Sequence, residues 1–286
     1  MSASPLYVDQ APGTTAPVSS DILDSRFVTK AVPEISPPPR SEFFARYVQT
    51  GTPALLKGLG REWPVVKSWT PDELRRRFGG HVVPVARTKV GGALIADPRF
   101  GVIRDLEPFG RFIDRMLAPA PTGYMTGRSD ELPPSMANEL PVPGYCRGEA
   151  FVSSKVWVSP AGGAAALHRD LPHNIHLQVY GSKRFILVAP SDGAGVYPSG
   201  PLFGIPMLPR IDLRHPDFVR FPRLRDVTLH VADLEPGDAI YIPRLWWHEV
   251  RTLQASISAN WFFSSGVWAG LVYSADVAKR VMGLSR

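Results

Sequence analysis

Two regimes of hydrophobic patterning divide the chain. From Phe151 onward, apolar residues come in short runs, many alternating with polar ones and broken by Gly, Pro and Asp. The segments Lys155–Ser159, Ala164–Arg169, Ile175–Tyr180, Arg184–Val188, Thr228–Ala232, Ala239–Ile242 and Ser256–Phe263 read as strands, because a period of two sends successive side chains to opposite faces. Many short strands at this spacing predict a sandwich or barrel. Before Phe151 the pattern is mixed α/β. Phe43, Phe44, Tyr47 and Val48 recur at helical spacing, with Ser41 as the expected N-cap and Gly51 as the stop. Pro53-Ala54-Leu55-Leu56 predicts a short strand, 70–78 a helix ended by Gly79-Gly80, Val82–Val85 a strand, and Phe109 to Leu117 another helix. At the far end Val267, Trp268, Leu271, Val272, Ala275 and Val281 fit one face of a terminal helix.

This pattern divides the chain into a Pro-rich N-terminal arm (1–40), an α/β region packing on the barrel (41–150), a barrel core (151–264) and a C-terminal helix (265–286). The stretch 190–226 is long, Pro-rich and irregular, a length that loops reach when they are functional or disordered. No internal repeat is visible.

Composition narrows the class. The chain has 286 residues, 44% of them hydrophobic and 20% charged, which is ordinary for a globular protein. The 25 Gly and 30 Pro point away from a helical bundle and towards a turn-rich β fold. A single cysteine, Cys146, excludes an internal disulfide and a Cys-based zinc or iron–sulfur site, and fits a reducing compartment. The net charge of +6 is mild. The basic run Arg75-Arg76-Arg77 reads as a solvated helix face, and no longer basic stripe with stacking aromatics accompanies it, so nucleic-acid binding is not expected. The uncharged stretch Thr252 to Ala275 is broken by Ser264-Ser265-Gly266 and alternates in its first half, so it does not read as a membrane span. The first basic residue is Arg26 and no apolar run follows the N-terminus, so no secretory signal is expected. The sequence thus predicts a soluble, cytoplasmic protein without a membrane partner.

Candidate chemistry concentrates in Leu167-His168-Arg169-Asp170. On a strand, positions i and i+2 share a face, so His168 and Asp170 can aim a nitrogen and an oxygen at one point. His248, after the strand ending at Ile242 and the Pro243 turn, can supply the second imidazole. Two His and one carboxylate hold one face of an Fe(II) octahedron and leave three positions open for substrate and O2. A hydrogen-bonded structural His–Asp pair is the plainer reading of the same spacing. Lys183, in Gly181-Ser182-Lys183-Arg184-Phe185, is either a surface turn lysine or, inside an apolar barrel, an ammonium that needs a counter-anion such as a dicarboxylate. Asn174, His176, Gln178 and Tyr180 share one strand face and Ile175, Leu177 and Val179 the other. Pattern alone leaves open which of the two looks inward.

These blocks in this order, H-R-D at 168–170, the Asn at 174, G-S-K-R-F at 181–185, P-G-D at 236–238 and I-P-R-L-W-W-H at 242–248, resemble the JmjC-type cupin family of Fe(II)/2-oxoglutarate dioxygenases. The likeness is nearest to the hydroxylase branch that includes the factor-inhibiting-HIF asparaginyl hydroxylase. It is strong over about 151–264 and looser over 41–150. The resemblance implies a mainly β fold with flanking helices, a double-stranded β-helix (jelly-roll, cupin) barrel. It implies His168, Asp170 and His248 as catalytic metal ligands, Fe(II), 2-oxoglutarate and O2 as cofactor and co-substrates, and Lys183 as partner of the distal co-substrate carboxylate. Asn174, Tyr124, His176 and Asn260 match positions near that co-substrate.

Two departures stand out. Ala165 occupies a place where many relatives carry Ser or Thr to bond the co-substrate, and His176 a place where a bulky aromatic is common. Either Lys183 and Tyr124 hold the carboxylate alone, or His176 compensates with its own N–H. A packed structural imidazole, a changed co-substrate and a lost activity are further readings of His176. Against the older cupin frame G-x5-H-x-H, Gly162, His168 and Gly181 remain, but Asp170 replaces the second His and Asn174 the Glu, so a four-ligand site does not survive.

The function expected from the resemblance is hydroxylation of a C–H bond on a protein or peptide side chain, with succinate and CO2 released. Arg210, Arg214, Arg220, Arg223 and Arg225 could rim the entrance for an acidic peptide, or be solvated loop arginines. Alternatives are a small-molecule or tRNA hydroxylase of the same chemistry, or a non-catalytic metal-binding cupin regulator. Trp268, Leu271 and Val272 raise the possibility of a homodimer through the C-terminal helix, or of packing on the chain's own barrel.

Overall fold

The computed structural model describes residues 23–86, 88, 96–97, 101–102, 104–128, 131–199 and 208–281. Eight strands in its second half face one another in two layers: β1 (Phe151–Ser159), β2 (Ala164–Arg169), β3 (His173–Tyr180), β4 (Lys183–Val188), β5 (Thr228–Leu234), β6 (Ala239–Ile242), β7 (Trp247–Thr252) and β8 (Ser256–Ser264). One layer has the order β5-β4-β7-β2 and the other β6-β3-β8-β1, with all neighbours antiparallel. Successive strands switch layers except at the step from β4 to β5. This is the expected jelly-roll barrel.

The N-terminal half extends both layers. Val28–Ala31 pairs parallel with β5, so part of the Pro-rich arm lies on the barrel. Glu34–Ile35 and Ala54–Leu56 continue the second layer beyond β6, while Tyr124–Arg128, Val82–Ala86 and Arg104–Pro108 continue it beyond β1. Helices α1 (Pro71–Phe78) and α2 (Phe109–Met116) cover the outer face of this layer. Thr70 caps α1 by accepting from the Glu73 N–H at 3.2 Å, and Pro71 occupies the first helical position, where its missing N–H is harmless. Glycine closes the helix, as the pattern predicted.

This covering settles the two-sided reading of β3. Ile175, Leu177 and Val179 point outward into a core shared with Trp69, Leu74, Phe109 and Phe112. Asn174, His176 and Gln178, all buried, therefore look into the barrel. The apolar face of β3 is on the outside because the helices make that outside dry.

Several expectations need correction. Ser41 does not cap the first helix. It lies inside Arg40–Phe43, which starts after Pro39 with no side-chain cap and continues as wider π turns over Phe44–Val48. A proline already fixed in φ can begin the turn without a hydroxyl. The described parts of the stretch 190–226 are not a loose loop. They form 3-10 turns at Pro190–Val196 and Pro222–Asp226 and bury Ile211, Leu213, Phe218, Phe221 and Leu224 against Leu229 and Trp247. Proline removed regular hydrogen bonding there but not apolar packing. Strand β7 was not read at all. Its alternate residues Glu249 and Arg251 look solvated in sequence, yet they pair at 2.7 Å with side chains only 3% exposed. The terminal helix α3 (Gly266–Val281) does not bury one continuous face: Val272 is buried, whereas Val267 is 76% exposed and Leu271 40%. The side chains of Ala275 and Val281 lie outside the described residues. Among the described residues no helix is long and apolar enough to cross a membrane.

Candidate active site

β2 and β7 are antiparallel neighbours, and their register sets His168 directly opposite His248, after a bulge that follows Ala165. A bulge re-aims the side chains beyond it. The two imidazole rings lie 4.2 Å apart between centroids, tilted by 52°. Asp170 follows β2 immediately, and its Oδ2 is 3.5 Å from His248 Nε2. One donor atom from each of His168, Asp170 and His248 lies within 4.8 Å of the others, the only such cluster of three or more ligating groups among the described residues.

The backbone orients both rings. His168 Nδ1 donates to the Ala166 carbonyl at 2.7 Å and His248 Nδ1 to the Trp246 carbonyl at 3.2 Å. With each Nδ1 proton committed, the Nε2 lone pairs face the cluster, as metal-ligating imidazoles require. A first-row cation about 2.1 Å from each ligand would place neighbouring ligand atoms about 3 Å apart, close to the 3.5 Å found between His248 and Asp170. The donor set therefore fits a divalent metal held on one side only.

The electrostatics agree. Burial, reinforced by the charge of His248, pushes the His168 imidazole down to about 4, so the ring is neutral at physiological pH. Burial alone would raise Asp170, but its contact with His248 and the nearby His168 imidazole outweigh it and hold the carboxyl well below its usual range. A neutral His168 and an ionised Asp170 are protonation states a cation needs.

The loop carrying His248 is tied to the loop carrying Asp170. Leu245 donates its N–H to the Asp170 carbonyl at 2.9 Å. To do so it adopts φ +65°, in the left-handed region that a branched side chain seldom enters. Local strain of this kind gathers at functional sites.

Deeper in the barrel stands Lys183, fully buried. Its inner-face successors on β4 are Phe185 and Leu187, and Leu187 is in register with His248. Four residues of strand put Lys183 about 13 Å from that level. Lys183 Nζ donates to the Tyr124 hydroxyl at 2.9 Å, and among the described residues no carboxylate pairs with it. Lys183 and Tyr124, which the resemblance implies share the co-substrate carboxylate, thus lie within hydrogen-bond reach of each other.

Asn174 and Asn260 meet across β3 and β8. Asn260 Nδ2 donates to Asn174 Oδ1 at 3.0 Å and Asn260 Oδ1 accepts from Trp157 Nε1 at 2.7 Å. His176 is buried, its ring edge-on to Phe185 at 4.9 Å, and its Nε2 has no hydrogen-bond partner. The expected residues therefore gather in one barrel interior. Sequence reasoning missed Lys155 and Trp157, inward-facing neighbours on β1. Lys155 Nζ lies 5.6 Å from the Trp157 ring and 5.4 Å from the Phe262 ring, and its charge helps lower Asp170. The alternation of β1 was visible, but a strand lysine ordinarily reads as the solvated face.

Arg75 and Arg76 pair with Asp114 and Glu73 at 2.7 and 2.6 Å at the surface, and Arg77 pairs with Glu139 in a half-buried contact. In the 190–226 segment, Arg220, Arg223 and Arg225 lie over the rings of Phe221, Tyr197 and Phe218, and Arg214 is 3.6 Å from Asp212. Cys146 is buried, and burial pushes its thiol up to about 12.

A jelly-roll barrel whose interior combines a His-Asp-His cluster with a buried lysine is the architecture of a cupin with a candidate metal site. Residues 40–267 match the family described as Cupin-like domain, and the chain belongs to that family. Among curated proteins it is similar to Jumonji C domain-containing protein 5 of Drosophila melanogaster, 29% identical over 81% of this chain and 59% of that protein. It is also similar to Lysine-specific demethylase 8 of Xenopus tropicalis, 27% identical over 85% and 54% of the two chains. A third relative is tRNA wybutosine-synthesizing protein 5 of Gallus gallus, 27% identical over 81% and 76%. The chain spans little more than half the length of the first two. These names do not single out the asparaginyl-hydroxylase branch.

Proposed function

We propose that this chain is an Fe(II)- and 2-oxoglutarate-dependent oxygenase that hydroxylates a C–H bond, most simply on a protein or peptide side chain. The observation that carries the reading is Lys183: a fully buried amine held by a tyrosine hydroxyl, in the same interior as a three-residue cluster of ligating groups. A buried charge of this kind calls for an anion, and a dicarboxylate that also reaches the metal satisfies both ends of the cavity.

Iron and 2-oxoglutarate, when bound, would supply the oxidant that puts an oxygen atom from O2 into the substrate, with succinate and CO2 released. The chain's own part is positional. His168, Asp170 and His248 hold one side of the metal and leave the opposite side for ligands. Lys183 and Tyr124 fix the far carboxylate. The Trp157–Asn260–Asn174 chain of hydrogen bonds stiffens the wall of the second layer. The apolar residues Phe185, Leu187, Ile240 and Val250 keep the cavity dry around these groups.

The hydroxylase branch named above is the finer form of this reading. A tRNA substrate is the second reading, favoured by the relative named for wybutosine synthesis, which is matched over 76% of its length. A cytoplasmic location and a homodimer through α3 belong to the same proposal; Val267 and Tyr273 on α3 stay largely exposed. The test is succinate release from 2-oxoglutarate with Fe(II), using peptide, tRNA and small-molecule panels. Turnover in the wild type that disappears in His168→Ala is the expected result. Equal succinate release by the variant would overturn the oxygenase reading, and metal binding without any use of 2-oxoglutarate would favour a regulatory cupin.

A further inference from the structure

Within the oxygenase reading, on which this step rests, one buried group has no assigned task. His176 projects from β3 into the barrel and is 5% exposed. Its ring sits edge-on to Phe185 at 4.9 Å. On β4, Phe185 lies one inward step from Lys183 and one from Leu187, whose register partner is His248. The imidazole thus stands across the barrel at the level between the ammonium and the metal cluster. Both Lys183 and His248 act on it electrostatically. Asn260, its cross-strand neighbour on β8, bonds Asn174 and Trp157 and not His176. Among the described residues nothing else satisfies Nε2.

A buried polar atom without a partner carries a desolvation cost that ligand binding can recover. A neutral imidazole can put its single proton on either nitrogen, so the unpartnered Nε2 can present an N–H. On β2, across the same cavity, Ala165 offers a methyl group and no donor. We infer that His176 donates an Nε2–H hydrogen bond to a carboxylate oxygen of the 2-oxoglutarate anchored by Lys183, and so sets the affinity and selectivity of the co-substrate site.

The test uses the full chain loaded with Mn(II), which holds the site without turnover. Calorimetric titration with 2-oxoglutarate compares wild type, His176→Phe and His176→Gln, and a separate Mn(II) titration reads the metal site. Loss of one hydrogen bond to a charged acceptor predicts at least about tenfold weaker 2-oxoglutarate binding for His176→Phe. The Mn(II) affinity should be unchanged, and His176→Gln, which keeps a donor, should recover most of the co-substrate affinity. Wild-type affinity in His176→Phe overturns the inference, as does a His176→Gln protein no better than His176→Phe. If the wild type binds Mn(II) but no 2-oxoglutarate, the oxygenase reading falls and takes this one with it. If the wild type binds 2-oxoglutarate and Lys183→Met does not, while His176→Phe does, only the role of His176 falls.

Discussion

Under the proposed function, Lys183 trades stability for binding. In the free protein its charge is buried against a tyrosine hydroxyl alone, which is costly in a low-dielectric interior. Lys183→Met keeps length and volume and removes that cost. Chemical denaturation of the metal-free variant should show stability unchanged or raised by about 1–3 kcal/mol, while 2-oxoglutarate binding to the Mn(II) form drops by about a hundredfold or more. A destabilised variant with intact co-substrate binding would mean that Lys183 is structural. At this scale much of the site was legible. His168 and Asp170 share a strand face by spacing alone, and few chemistries use that pair with a distant His. The direction of Lys183 was not legible, because a Gly-x-Lys-Arg turn puts lysine in solvent as readily as in a barrel. The link from Asn260 to Trp157 depends on the register of strands distant in sequence, which no local pattern encodes.

Among the elements, the turns that aim the site residues are as constrained as the residues themselves. Gly181, two positions before Lys183, has φ +66°, and a Cβ there would lie 2.1 Å from the Ala255 carbonyl oxygen. Gly181→Ala therefore forces the β3–β4 turn away from the β7–β8 turn. We expect a loss of about 2–4 kcal/mol in denaturant unfolding, together with weaker 2-oxoglutarate binding, since strained φ and a backbone clash add. A variant within about 0.5 kcal/mol of wild type would show that the turn simply relaxes. The elements also show where periodicity runs out. β2 and β6 were read to the residue because both are apolar between clear breakers. β7 escaped because Glu249 and Arg251 pair under the 190–226 segment, so its polar positions do not mark a solvated face. That segment hid its own core behind prolines, which interrupt hydrogen-bond ladders without preventing Phe218 or Leu224 from packing.

For the molecule as a whole, the buried imidazoles govern its response to acid. Burial lowers His168 to about 4, and burial with the charge of Arg244 lowers His173 to about 3, from an ordinary 6.5. Burial and Lys183 also push His176 well down. Below pH 6.5 the unfolded chain takes up protons that the folded chain refuses. Its stability therefore falls as the pH drops from there towards 4, and is fully present above that window. The depressed Asp170 acts in the same direction only at lower pH, below its ordinary 3.8. Thermal melts of the metal-free protein should shift down steadily between pH 7 and pH 4.5. A flat profile would mean that these rings are hydrated. The jelly-roll architecture was legible in sequence through short strands and abundant turn residues. The way the N-terminal half lengthens both sheets was not, since Val28–Ala31 and Glu34–Ile35 are too short and too proline-flanked to announce themselves.

The placement of β7 has a consequence for the newborn protein. Leaving the ribosome, the chain exposes His168 and Asp170 long before His248 exists, and β7 must then thread between β4 and β2, already synthesised as separate neighbours. Until that late insertion closes the sheet, a half-made polypeptide carries only two of the three side chains of the candidate metal cluster. The set a cation would need is thereby completed only in a barrel that is nearly whole.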